Sequence, residues 1–208
     1  MARTAPAPTT DARGATRLPR VGILALQGDV REHAVATRQA GGEPIEVRLP
    51  GDLVGLDALI LPGGESTTMR RLIDLYGLSE PIVALARSGA PVYGTCAGMI
   101  LLAARIADDD EPVLGLLDIT VQRNAYGRQL DSFEADLAIP SLGEEPLHGV
   151  FIRAPVVTEV GRDVEVLARD PDGSPVAVRE GRVLATAFHP ELTADRRMHR
   201  LLLDLLDS

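Results

Sequence analysis

The sequence predicts an α/β protein of three layers, with helices on both faces of a mainly parallel central sheet and a strand-rich second half. Three observations carry that prediction. In the first half, continuous apolar runs of strand length alternate with stretches of helical period, the pattern of a parallel, right-handed sheet covered on both faces. The core must be aliphatic, because aromatics are 3% of the 208 residues and tryptophan is absent while 45% are hydrophobic. The sole cysteine, Cys96, falls between a strand signal and a helix signal, where such sheets carry their sites.

Residues 1 to about 20 contain Pro6, Pro8 and Pro19 with no apolar periodicity, so they read as a disordered tail, and residues 21–208 as a single domain. A secretory leader would need an unbroken apolar core, and Pro6 and Pro8 oppose a transit helix. Val21 to Leu26 is the first strand, and Asp29 is the expected N-cap of a helix running to about Ala40. Pro44–Val47 and Ala58–Leu61 supply two more strands. The third runs into Pro62-Gly63-Gly64-Glu65-Ser66-Thr67-Thr68-Met69, where Ser66 or Thr67 can cap a helix through Tyr76. That glycine pair makes either a plain tight turn or one half of an oxyanion hole facing Cys96.

A helix from about Glu80 to Ser88 leads to the strand Pro91–Thr95, and the apolar run after Cys96 predicts a helix ending near Asp108-Asp109-Asp110. Gly94 and Gly98 flank the cysteine at two residues on each side. Such spacing permits a strained strand-to-helix turn that pushes the thiol outward, with the helix dipole favouring thiolate. The alternative is a buried structural cysteine, which the glycine frame disfavours. Beyond it, short strands are expected at 117–121, 133–137, 150–152, 164–167, 176–178 and 183–188. The polar segment Arg123 to Gln129 is either a hairpin loop or a pocket wall. Phe188-His189-Pro190-Glu191-Leu192 closes the last strand, and 194–206 reads as a final amphipathic helix.

His189 and Glu191 can point the same way across Pro190, which with Cys96 gives the Cys-His-acid arrangement of covalent acyl transfer. His33 and His199, within predicted helices, and His148, at a strand start, read as structural or exposed. A net charge of −9 without a basic patch excludes nucleic acid as a partner, and no apolar run approaches the roughly 20 residues of a membrane span. One cysteine allows neither an internal disulfide nor a thiolate metal cluster, so no metal is expected and a reducing cytoplasm fits best. No Gly-rich dinucleotide fingerprint is present and no cofactor is expected.

These residues resemble the class I, or triad, glutamine amidotransferases, whose fold is flavodoxin-like. More narrowly, they resemble the glutaminase subunit of pyridoxal 5′-phosphate synthase. The resemblance rests on Leu26-Gln27-Gly28, Gly63-Gly64-Glu65-Ser66-Thr67-Thr68-Met69, Gly94-Thr95-Cys96-Ala97-Gly98, Arg123-Asn124 with Gly127-Arg128-Gln129, Asp131-Ser132-Phe133-Glu134, Phe151-Ile152-Arg153-Ala154-Pro155 and Phe188-His189-Pro190-Glu191. It implies Cys96 as nucleophile, His189 as acid/base and Glu191 as its orienter. Glutamine would be held by Gly64, Glu65, Ser66, Arg128, Ile152 and Arg153, with the oxyanion on N–H groups of Gly64 and Ala97. It further implies hydrolysis of L-glutamine to glutamate and ammonia, and a heteromeric complex with a (β/α)₈-barrel synthase subunit. Alternatives are a glutaminase serving another synthase, such as the imidazole glycerol phosphate enzyme, or a non-catalytic scaffold. One departure from the family pattern is Asp29, where a small apolar residue is more usual.

Overall fold

The structure, a computed structural model, describes residues 9–10, 16–107, 112–123 and 132–207. The expected acidic run at 108–110, most of the proposed tail and Arg128 therefore lie outside the described residues. Chain order begins with a two-residue ladder, β1 (Thr9–Thr10) and β2 (Thr16–Arg17), then β3 (Arg20–Leu24), α1 (Val30–Ala40), β4 (Glu43–Val47) and β5 (Ala58–Leu61). The first half continues with α2 (Ser66–Leu75), α3 (Ser79–Arg87), β6 (Val92–Thr95), α4 (Ala97–Leu102) and β7 (Ala103–Ile106). In the second half come β8 (Leu117–Gln122), β9 (Ser132–Leu137), β10 (Leu147–Ile152), β11 (Val156–Val160), β12 (Glu165–Arg169), β13 (Pro175–Glu180), β14 (Val183–Thr186) and α5 (Arg197–Asp204).

Seven strands form the central sheet in the order β12-β13-β14-β6-β5-β3-β4. From β14 to β4 every pairing is parallel, while β12 and β13 add an antiparallel edge. All four residues of β5 and of β6 are buried, as strands covered on both faces must be. Leu59, Ile60, Leu61 and Tyr93 are wholly inaccessible and centre the core. The expected three-layer sheet is thus present, with β7, β8 and β11 forming a separate three-stranded sheet and β9 pairing with β10.

Local differences from the sequence reading have physical causes. The helix after Cys96 ends at Leu102, not near residue 108. Ala103 turns to extended backbone (φ −58°, ψ 140°), and β7 then pairs in parallel with β8. Arg105 anchors that pairing through Thr120 and Asp118, at 2.9 and 2.7 Å. The chain also joins the fold before residue 20, because Arg17 makes a paired contact with Asp57 at 2.6 and 2.8 Å. The N-cap of α2 is Glu65, rather than Ser66 or Thr67: its carboxylate accepts from the N–H groups of Thr67 and Thr68.

The elbow depends on close backbone approach. A Cβ on Gly98 would lie 2.0 Å from the Leu61 carbonyl oxygen, and one on Gly94 would lie 2.6 Å from Gly98. Overpacking usually costs about 1–3 kcal/mol, and here the obstacle is backbone that cannot rotate aside. Gly98→Ala is therefore expected to cost at least that much and to lower the thermal midpoint by several degrees. Gly51→Ala, whose Cβ would meet nothing within 4 Å, should leave the midpoint unchanged in the same melting experiment.

Candidate active site

Cys96 follows the buried strand β6 and adopts φ 48°, ψ −103°, one of two described non-glycine residues with positive φ. That conformation costs of order 1–3 kcal/mol and is held by its surroundings. Its N–H donates to the Thr186 carbonyl of β14 at 2.8 Å, and its own carbonyl accepts from Met99 at 3.0 Å as α4 begins. The thiol faces the Ile152 carbonyl at 3.7 Å. The other positive-φ residue, Arg153 (φ 44°), follows immediately.

A cleft of about 500 Å³ opens above the cysteine, and its lining includes Gly64, Glu65, Ser66, Ala97 and Arg153. Five of the expected binding or oxyanion positions are thus gathered around Cys96. Ile152 contributes its backbone carbonyl rather than a lining side chain. Arg123, at the start of the expected pocket wall, also lines the cleft. The Glu65 carboxyl is held down at about 2, chiefly by the Thr68 hydroxyl and, against some desolvation, by the N–H groups of Thr67 and Thr68. Its own N–H donates to Gln27 Oε1 at 2.6 Å. The Gly63 carbonyl accepts from the Asp29 N–H at 3.1 Å. Because the peptide is trans, the Gly64 N–H faces away from Asp29.

His189 and Glu191 lie where the last parallel strand leaves the sheet, both nearly inaccessible. The turn Pro190–Leu192 brings Glu191 Oε1 to 2.8 Å from His189 Nδ1. A carboxylate only accepts, so Nδ1 carries the proton and Nε2 is left bare, able to act as a base. Burial disfavours the imidazolium, but Asp29, Cys96 and Glu191 together push His189 up to about 12. Desolvation likewise opposes the Glu191 carboxylate, yet the His33 and His189 rings hold it below the usual range.

Two histidines read as structural join this site. His33, on α1 and wholly buried, places Nε2 3.4 Å from Glu191 Oε1 and 3.1 Å from Thr95 Oγ1. Its Nδ1 meets His199 Nε2 of α5 at 3.1 Å. If His33 Nε2 donates toward Glu191, His33 Nδ1 accepts from His199, whose bare Nδ1 has no partner among the described residues. The signal in the sequence was a polar residue at a core position of α1, four residues after Asp29, and it carried no indication of what lay opposite. Asp29 was also missed: its Oδ2 lies 3.2 Å from His189 Nδ1.

A parallel αβα sheet carrying a cysteine elbow and a histidine-carboxylate pair at one edge defines the class I glutamine amidotransferase-like fold. A solved structure described as a glutamine amidotransferase shares it with a TM-score of 0.85 and 50% identity, covering 90% of this chain and 99% of that one. The chain belongs to the SNO glutamine amidotransferase family, which matches residues 23–207. Among its relatives, the "Pyridoxal 5'-phosphate synthase subunit PdxT" of Frankia alni is 56% identical over 192 residues, 91% of this chain and 96% of that protein. That of Acidothermus cellulolyticus is 59% identical over 187 residues, 87% and 90% of the two chains. The PurLQS structure from Thermotoga maritima, 20% identical with a TM-score of 0.67 over 91% of this chain and 98% of that one, shares the fold alone.

Burial, with the His33 ring second, pushes His199 down to about 3. The folded state thus declines a proton that the unfolded chain accepts below about 6.5, so this contribution to stability is full above that pH and shrinks as pH falls toward 3. Against His199→Gln, the parent should lose about 2 kcal/mol of relative stability between about pH 7 and about pH 5. Urea unfolding of both proteins at the two pH values measures it; a constant difference would show that His199 is protonated in the fold.

Proposed function

We infer that this chain is the glutaminase subunit of a pyridoxal 5′-phosphate synthase, hydrolysing L-glutamine to L-glutamate and ammonia through Cys96, His189 and Glu191. One observation carries the mechanism: a buried His189–Glu191 pair at 2.8 Å whose free ring nitrogen serves a cysteine raised on a left-handed elbow. His189 Nε2 takes the Cys96 proton, and the thiolate attacks the side-chain amide carbon of glutamine. Negative charge passes to the amide oxygen, which the N–H groups of Gly64 and Ala97 hold. The tetrahedral adduct collapses as His189 returns its proton to the departing nitrogen, releasing ammonia and leaving a glutamyl thioester. Water, losing a proton to the same nitrogen, then frees glutamate and restores the thiol.

Recognition of the substrate's charged end falls to Glu65, Ser66, Arg128, Ile152 and Arg153. An anionic Glu65 suits an ammonium group, and Arg128 and Arg153 suit a carboxylate. The relatives are named as subunits of a synthase, which supports a partner that consumes the ammonia. From the family resemblance we take that partner to be a (β/α)₈ barrel. A single glutaminase domain, joined by the chain from about Arg17 onward and working in the cytoplasm, completes the proposal; among the described residues no helix is long and apolar enough to cross a membrane.

Cys96→Ala should reduce glutamate release in the presence of the synthase by about a thousandfold or more, with the fold retained. His189→Asn should be nearly as severe and Glu191→Gln milder, because Glu191 orients the ring without touching glutamine. Activity of Cys96→Ala within about tenfold of the parent would overturn the assignment.

A further inference from the structure

Asp29 stands at the N-cap of the 11-residue helix α1, where an aspartate ordinarily accepts from the first free N–H groups and contributes about 1 kcal/mol. It makes no such bond. Its Oδ2 instead lies 3.2 Å from His189 Nδ1, the atom that Glu191 Oε1 engages at 2.8 Å. A Cβ on Gly63 would fall 2.9 Å from that oxygen and 2.8 Å from Nδ1, so the contact exists only because position 63 is glycine. The Asp29 N–H meanwhile holds the Gly63 carbonyl, tying the same residue to the turn that carries Gly64.

We propose that Asp29 is a positioning residue of the glutaminase: a second carboxylate on the catalytic imidazole, which sets how strongly the Cys96–His189 pair holds its protons. The charged and titratable groups facing that pair are Glu191 from its own turn, Asp29 from the start of α1 and, behind Glu191, His33 of α1, with Glu65, Arg123 and Arg153 lining the cleft on the Cys96 side. Neutral imidazole offers one Nδ1 proton to two acceptors, so the ring gains most from the pair of carboxylates when it is imidazolium. That helps the first step, in which His189 accepts the thiol proton, and resists the second, in which it must give the proton to ammonia. Side-chain exposure divides the two acids: Glu191 is at 0% and Asp29 at 32%. Glu191 is a fixed orienter, while Asp29 sits where its field can be altered from outside.

Removing the Asp29 charge makes both protons of the pair leave more easily, so both ionisations move to lower pH. Cys96 is the chain's sole cysteine, so alkylation by iodoacetamide reports on it alone. In Asp29→Asn, which keeps the side chain's shape and the N–H bond to Gly63, the pH profile of Cys96 alkylation should move about one unit toward acid. Glu32→Gln, which deletes a charge from the same helical turn, should leave the profile in place. The kinetic arm alone rests on the glutaminase reading: with the synthase present, kcat/KM for glutamine should show the same acidward displacement, with KM little changed. A superimposable alkylation profile for Asp29→Asn, or an equal shift in Glu32→Gln, would overturn the proposal. Displaced alkylation without any glutamine hydrolysis in the parent would uphold the coupling and refute the assigned reaction instead.

Discussion

Much of this molecule follows from holding one side chain at a positive φ. A cysteine at φ 48° is unfavourable in isolation and survives only where the surrounding chain leaves it no alternative. The constraint is supplied on three sides. Thr186 of β14 fixes the Cys96 N–H, the first turn of α4 fixes its carbonyl, and the bare Cα atoms of Gly94 and Gly98 let strand, helix and the neighbouring β5 meet at backbone distance. Because β6 lies between β5 and β14, the loops after all three strands open on one edge. The Gly63-Gly64 turn follows β5 and His189 follows β14, so parallel topology alone brings the candidate oxyanion donor and the base to the thiol.

Beneath that edge runs a buried polar chain, Cys96 to His189 to Glu191 to His33 to His199. Polar groups in an aliphatic core are costly unless each donor finds an acceptor. Here one run of tautomers can satisfy the ring N–H groups, which leaves the unpaired positions as acceptors, Glu191 Oε2 and His199 Nδ1. A bare lone pair is the less costly orphan, since under-satisfied acceptors are better tolerated than orphaned N–H groups. The depressed proton affinity of His199 accords with this: protonating its buried Nδ1 would create an N–H with nothing to receive it.

The parts legible in the sequence were those whose physics is local. Continuous apolar runs gave the parallel strands, glycines two residues either side of Cys96 gave the elbow, and His-Pro-Glu gave the oriented ring, since all three depend on neighbours in the chain. The misread parts depend on residues far away. Ala103 to Ile106 has the composition of a helix, yet pairing with β8 and the Arg105 contacts to Asp118 and Thr120 draw it into a strand. Glu65 preceded two better-known capping types, and its longer carboxylate reached back over them. His33 looked like core because it is core, and only the folded chain sets Glu191, 158 residues later, against it.

Asp29 shows how a local rule fails informatively. Aspartate before a helix is a strong capping signal, and the helix duly begins at Val30. The side chain is absent from the cap because a stronger demand lies across the sheet edge: a buried imidazole that can carry charge. A carboxylate beside a ring that can carry charge gains more than a neutral capping bond, whose net worth is about 1 kcal/mol. Where a capping residue abandons its helix for a buried titratable ring, the geometry has favoured the site over the element, which is the expected trade at a place where chemistry is done.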